Sequence, residues 1–212
     1  MKNAARRIYI VLIFIFMYAP IATLGVLSFN ASKSRAKWGG FTIKWYLSLF
    51  KNEEIMRALW NTLSIALISS VVATVVGTVS CIAIQSMKKK GRAIVIGITN
   101  IPMLNADIVT GISLMLLFIV LGIRLGFFTI LLAHITFNIP YVILSVMPRM
   151  KQLNPSVYEA ALDLGASHVQ AFFKVIFPDI LPGILSGFLM AFTMSLDDFI
   201  ITYFTKGPGI DT

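Results

Sequence analysis

The stretch LSGFLMAFTMSLDDFIITYF, residues 185–204, decides what kind of protein this is. It is apolar almost throughout and long enough to cross a bilayer, which takes about 20 such residues. Yet Asp197 and Asp198 sit side by side inside it. An ionised aspartate in hydrocarbon costs on the order of 2.5–3.5 kcal/mol by insertion scales. Something must offset that cost: a wet passage, a basic partner or a broken helix end.

The whole chain agrees with a membrane reading. It has 212 residues, 58% hydrophobic and only 13% charged, with a mean hydropathy of +0.86, whereas soluble domains carry about 25% charged residues. The net charge of +9 is not a nucleic-acid signal. The basic residues lie mostly between apolar segments, where anionic lipid headgroups account for them. The single cysteine, Cys81, excludes an intramolecular disulfide and reads as a small buried hydrophobe. Nothing in the residue pattern calls for a metal or a cofactor.

Five segments are long and apolar enough to span: about 8–29, 60–86, 94–121, 127–147 and 180–204. The first follows MKNAARR and resembles a signal sequence, but its apolar run exceeds the roughly 7–15 residues of a signal core. It reads as an uncleaved helix. Between the spans lie an outer loop at 30–58, a tight basic turn MKKKGR at 87–92, a second tight turn GIRLG at 122–126, and a polar insert at 148–178. The expected fold is all-α: one transmembrane domain over 1–212, a polytopic bundle of five spans. With the N-terminus cytoplasmic, ten of the 18 Lys and Arg residues fall inside. The short cluster Lys88–Arg92 weighs most in that orientation, because short loops follow the positive-inside rule best.

The insert carries the sharpest local pattern, NPSVYEAALDLGASHVQAFFKVIFPDILPG at 154–183. Ser156 and Glu159 are spaced as a capping box. Val157, Ala160, Ala161 and Leu164 then share one helical face. Gly165 suits a left-handed helix end. Ser167 and Gln170 are spaced as a second capping box, and Val169, Phe172, Phe173, Ile176 and Phe177 form a second stripe that Pro178 closes. The expectation is two short amphipathic helices joined by a glycine turn on the cytoplasmic side. Two alanines at the middle of the first apolar face suit a protein groove better than lipid, where large side chains gain more.

This segment resembles the EAA loop of ABC-transporter permease subunits of the binding-protein-dependent import type. That pattern is Glu-Ala-Ala, three residues, Gly, nine residues, then Ile-x-Leu-Pro. Glu159, Ala160, Ala161, Gly165 and Pro178 stand in register, with Val175 and Phe177 in place of Ile and Leu. The stretches SFNASKSRAKWGGFTIKWYLSLF (28–50), HITFNIPYVILSV (134–146), YEAALDLGAS (158–167) and FTMSLDDFIITYFTKGP (192–208) are similar to the C-type permeases of spermidine/putrescine importers. The resemblance implies a transport subunit of the bacterial inner membrane, not an enzyme. It implies polyamine cargo, with iron or thiamine as alternative solutes. It also implies that Glu159–Gly165 docks on a cytoplasmic ATPase. This chain has no GxxxxGK[ST] phosphate loop, so a separate subunit would hydrolyse ATP. A second permease subunit and an external substrate-binding protein are the other implied partners, and a sixth span beyond Thr212 is expected of the family.

Asp107, Asp197 and Asp198 are the candidate passage residues for a multiply charged cation. The alternative is that they pair with Lys or Arg or cap broken helices. Asp107 closes IPMLNAD, where Pro102 and Asn105 suit a helix break. Neighbours on one helix diverge by about 100°, so Asp197 and Asp198 are not expected to face a lumen equally. His134 reads as a hydrogen-bonded packing residue. An intramembrane enzyme would need a nucleophile–base pair or a metal constellation; neither HExxH nor GxSxG occurs, and only His134 and His168 are at hand. An aspartic protease needs two carboxylates sharing a proton, whereas neighbours on one helix diverge. A channel would need a filter-like carbonyl motif, which is equally lacking.

Overall fold

A computed structural model describes residues 2–34, 37–210 and 212. They form two compact units, residues 1–56 and 57–212. The described residues are helical, with one isolated bridge between Asn30 and Phe41.

The first unit holds α1 (Lys2–Leu27) and the short α2 (Lys44–Lys51). The loop between them winds around the Asn30 side chain. Its amide donates to the carbonyls of Ser34 and Lys37, and its Oδ1 accepts from the N–H groups of Ser32 and Gly39. Trp45 Nε1 donates to the Asn30 carbonyl at 2.8 Å. Phe29 stacks on Phe41. Among the described residues, the expected outer loop at 30–58 therefore holds a turn around Asn30, helix α2 and the first residues of the next helix.

The second unit carries the long spans. Helix α3 (Glu53–Ser86) begins in the first unit and continues through the second. The basic turn that follows closes the open end of α3. Arg92 donates to the carbonyls of Ile84, at 3.2 Å, and Gln85, both in the last turn of α3. The expected span at 94–121 is a broken pair, α4 (Lys89–Leu104) and α5 (Asp107–Val120), bent by 105°. Asn105 and Ala106 between them are extended. Helix α6 (Phe127–Gln152) runs on through Pro140 and Pro148 and shortens the expected insert.

Helix α7 (Pro155–Asp163) and helix α8 (His168–Asp197) follow. Among the described residues, four helices are long and apolar enough to cross a membrane, or five spans if the bent pair counts as one. That matches the five apolar segments. Pro178 does not end a short helix, as the pattern had suggested. It lies inside α8, directly after a π-helical turn at Phe172–Ile176. A proline ring clashes with the carbonyl four residues back in a regular helix, and the wider turn relieves that clash.

The elbow between α7 and α8 forms as expected, with one change. Asn154, not Ser156, caps α7, its Oδ1 accepting from Ser156 N, and Pro155 fills the first turn. Gly165 adopts φ +87°, and Ala166 N–H reaches back to the Ala161 carbonyl at 3.0 Å. Ser167 and Gln170 cap each other's backbone. The inward face of α7 is Tyr158, Ala161 and Leu162; Val157, Glu159, Ala160 and Leu164 face outward.

The core sits where α3, α6 and α8 meet. Ala73, Cys81 and Ile84 of α3 pack with Val142, Ile143, Val146, Met147 and Met150 of α6 and with Ile180 and Ala191 of α8. Small residues allow this approach: a Cβ at Gly77 would lie 2.7 Å from Val142 Cγ1, and one at Gly187 3.3 Å from the same atom. A second cluster joins Phe118 of α5, Ala133 and Phe137 of α6 and Ile201 of a last helix, α9 (Ile200–Thr205).

Candidate functional site

The aspartate pair lies at a break between α8 and α9. Helix α8 ends at Asp197, and Asp198 is extended at φ −73°, ψ 112°. The expectation that the two carboxylates diverge assumed one continuous helix. Because the helix stops between them, both line the same cavity, of about 240 Å³.

Asp198 has its cost offset locally. Its Oδ1 accepts from Ile201 N at 3.2 Å and its Oδ2 from Thr202 N at 3.0 Å, which caps α9. The N-terminal end of a helix also favours negative charge. His134 Nε2 stands 3.4 Å from Asp198 Oδ2 and 2.8 Å from Thr202 Oγ1. Its Nδ1 lies 2.5 Å from Ser195 Oγ, which is 3.1 Å from Ser69 Oγ on α3. His134 and Ser195 are each 2% exposed, so these groups have little solvent to turn to. Buried polar groups must be bonded or they destabilise the fold.

Four helices therefore meet at one polar knot: α3 through Ser69, α6 through His134, α8 through Ser195, and α9 through Thr202. Among the described residues no lysine or arginine ion-pairs with Asp197 or Asp198. Asp197 is exposed, and its carboxylate makes no hydrogen bond among the described residues. The cavity is also lined by Thr62, Ile65, Leu196 and Phe199. Carboxylates and hydroxyls in one small space suit a cation that donates several hydrogen bonds, such as an ammonium group.

Asp107 is not part of this cavity. It opens α5, in its first turn, where the helix end favours its charge. A separate cavity of about 220 Å³ adjoins the same break, lined by Pro102, Asn105, Thr110, Ser113, Thr136 and Phe137 among others. Glu159, Ala160 and Gly165 lie together on the elbow and are exposed, Ala161 is turned inward, and Pro178 stands apart within α8.

His134 is the residue that pattern reading undervalued. Its hydrogen bonding was expected, but its partners are 61 and 68 positions away in sequence. The available signal was the pairing of one intramembrane histidine with an intramembrane aspartate pair. Asn138, one turn along α6, is fully buried, and neither polar atom of its amide has a partner among the described residues.

Comparison with known proteins identifies the framework. The chain matches the family described as the binding-protein-dependent transport system inner membrane component over residues 1–212. The spermidine/putrescine transport system permease protein PotC of Escherichia coli K12 is 37% identical over 199 residues, covering 94% of this chain and 75% of that protein. PotC of Haemophilus influenzae Rd is 39% identical over 202 residues, covering 95% and 79%. The putrescine transport system permease protein PotI of E. coli K12 is 38% identical over 221 residues, covering 100% and 78%. A helical chain of repeated apolar spans, matched from end to end at this identity, belongs to the family of inner membrane components of binding-protein-dependent transport systems.

Proposed function

We propose that this chain is a polyamine-conducting permease subunit of an ATP-driven importer. The observation that carries the reading is the cavity holding Asp197 and Asp198 with no lysine or arginine among the described residues to neutralise them. An anionic pocket built into a span attracts a cationic cargo and disfavours an anionic one. The names of the similar permeases, spermidine/putrescine and putrescine systems, support the same cargo class. Asp197 and Asp198 would receive an ammonium group, and Asp107 would meet it at the α4–α5 break.

The α7–α8 elbow is the proposed contact to a cytoplasmic ATPase subunit. Leu164 is 89% exposed and Val157 51% exposed, beside Glu159 and Ala160. Exposed apolar side chains on a rigid turn gain by docking into a protein cleft. Gly165 and the Ser167–Gln170 caps hold the turn, and the unbroken α8 carries its displacement from the elbow to Asp197. The N-terminus and the elbow would then lie in the cytoplasm, a reading supported by Lys88–Arg92, Arg149, Lys151 and Lys174 near the same side. A second permease subunit and an external binding protein complete the assembly.

Uptake of radiolabelled putrescine and spermidine into proteoliposomes carrying the assembled transporter tests the cargo. Saturable, ATP-dependent uptake is expected, inhibited by unlabelled polyamine and not by thiamine or ferric iron. Inhibition by thiamine or iron instead, or full uptake by both Asp107→Asn and Asp198→Asn, overturns the assignment. For the elbow, Leu164→Asp combined with Val157→Asp is expected to reduce co-purification of the ATPase subunit at least about tenfold. The melting temperature should move by less than about 2 °C, since both side chains are exposed. Unchanged co-purification would remove the elbow from the interface.

A further inference from the structure

The polar knot around His134 has a direction. Nε2 faces a carboxylate oxygen at 3.4 Å and a hydroxyl at 2.8 Å. A bare nitrogen lone pair there would oppose the lone pairs of Asp198, so Nε2 carries the proton. In the neutral ring Nδ1 then accepts, and Ser195 Oγ must donate to it across 2.5 Å. Ser195 in turn accepts from Ser69 Oγ. Thr202 Oγ1 accepts from His134 and has its own proton free for Asp198, whose Oδ2 and backbone carbonyl are each 3.3 Å away. Every donor on the Thr202 side of the ring points toward Asp198.

The two oxygens of that carboxylate are consequently unequal. Oδ2 has two donors within reach, Thr202 N and Thr202 Oγ1, while the His134 Nε2 proton goes to Thr202 Oγ1 and Nε2 itself stands 3.4 Å from Oδ2. Oδ1 has one, Ile201 N. A carboxylate oxygen accepts about two hydrogen bonds, so the protein saturates Oδ2 and leaves capacity on Oδ1.

We propose that His134 is a positioning residue that locks the Asp198 carboxylate across the α8–α9 break and leaves Oδ1 as the atom that receives the cation. Without the imidazole, nothing turns the Thr202 proton toward Asp198, and rotation of the carboxylate is opposed by the cap of α9 and a hydroxyl free to turn away. The inference rests on the reading of Asp198 as a cargo-binding group, and it adds to it a residue on α6 that need not touch the cargo.

The test is a set of four variants in the assembled transporter, with initial rates of radiolabelled putrescine uptake measured against concentration. His134→Leu keeps the volume and removes both ring hydrogen bonds; it should raise KM at least about tenfold and change the maximal rate per assembled complex less than about threefold. His134→Gln can donate and accept, and should recover most of that loss. Thr202→Val removes one hydroxyl and should raise KM about threefold or more. It keeps the question answerable if His134→Leu does not assemble. Asp198→Asn tests the underlying reading separately. If Asp198→Asn impairs uptake while KM is unmoved in His134→Leu, or in Thr202→Val should His134→Leu not assemble, the positioning role is wrong and the cargo site stands. If Asp198→Asn is silent, the cargo site itself is wrong. Equal damage by Leu and Gln at position 134, or a loss confined to the amount of complex, also overturns the proposal.

Discussion

Asp198→Asn is expected to lower polyamine uptake by the assembled transporter at least about tenfold, mostly through KM. The size follows from the charge removed. A unit pair at 4 Å interacts by about 4 kcal/mol at an effective dielectric of 20. Desolvation of the ammonium group and the carboxylate offsets much of this. A residual of about 1.4 kcal/mol is already a factor of ten. The amide keeps one acceptor oxygen for Ile201 N, so α9 retains part of its cap. With that oxygen on Ile201 N, the NH₂ takes the place of Oδ2, where it opposes the donors Thr202 N and His134 Nε2. Asp197→Asn should be milder, because that side chain is exposed and orders nothing around it. Uptake kinetics normalised to assembled complex measure both. Equal effects would mean that the cavity reads total charge and not the held carboxylate.

The second large effect is steric and lies in the core. Val142 of α6 is fully buried between Gly77 of α3 and Gly187 of α8. A methyl group at position 77 would sit 2.7 Å from Val142 Cγ1 and 2.8 Å from its Cβ, so something must move. Overpacking of this kind costs about 1–3 kcal/mol. Lipid provides no hydrophobic drive to close helices together, so close contact through small residues holds this interface. Gly77→Ala is therefore expected to destabilise by about 1–3 kcal/mol, and Val142→Ala by about 1–2 kcal/mol through the space it leaves. The double variant should be more stable than the sum predicts, by at least about 0.5 kcal/mol, because each change makes room for the other. Cys81 offers a built-in reporter. It is the single cysteine, lies one turn from Gly77, is fully buried, and its Sγ is 3.6 Å from the Ile143 carbonyl. A thiol-reactive fluorophore then reads the opening of this helix contact on heating in detergent. Simple additivity of the two single changes would show that the two residues do not share the contact.

Much of the architecture was legible in the residues because lipid imposes a simple rule. Backbone polar groups have no water in the bilayer, so apolar runs of sufficient length must be helices. The spans near 60–86 and 127–147 follow from that rule, and so does the family, through Glu159, Ala160, Ala161 and Gly165. Local chemistry also placed the elbow. A glycine at φ +87° and a reciprocal Ser167–Gln170 cap depend only on neighbours in the chain.

Other features depended on partners far away in sequence. Whether Asp198 continues a helix or ends one was decided by Ile201 N, Thr202 N and His134, and a side chain that can cap competes with the helix that contains it. The apolar run 185–204 therefore looked continuous while its backbone is not. Pro178 looked like a terminus, yet packing of Ile180 against α3 and α6 keeps α8 going through it. By itself the sequence determined that this is a helical membrane protein of a known transport family, because hydropathy and a short motif are local properties. That two aspartates share one cavity, and that a histidine from another helix stands beside one of them and bonds Ser195 and Thr202, was set by packing, because hydrogen bonds across 61 to 68 positions exist only once the helices are together.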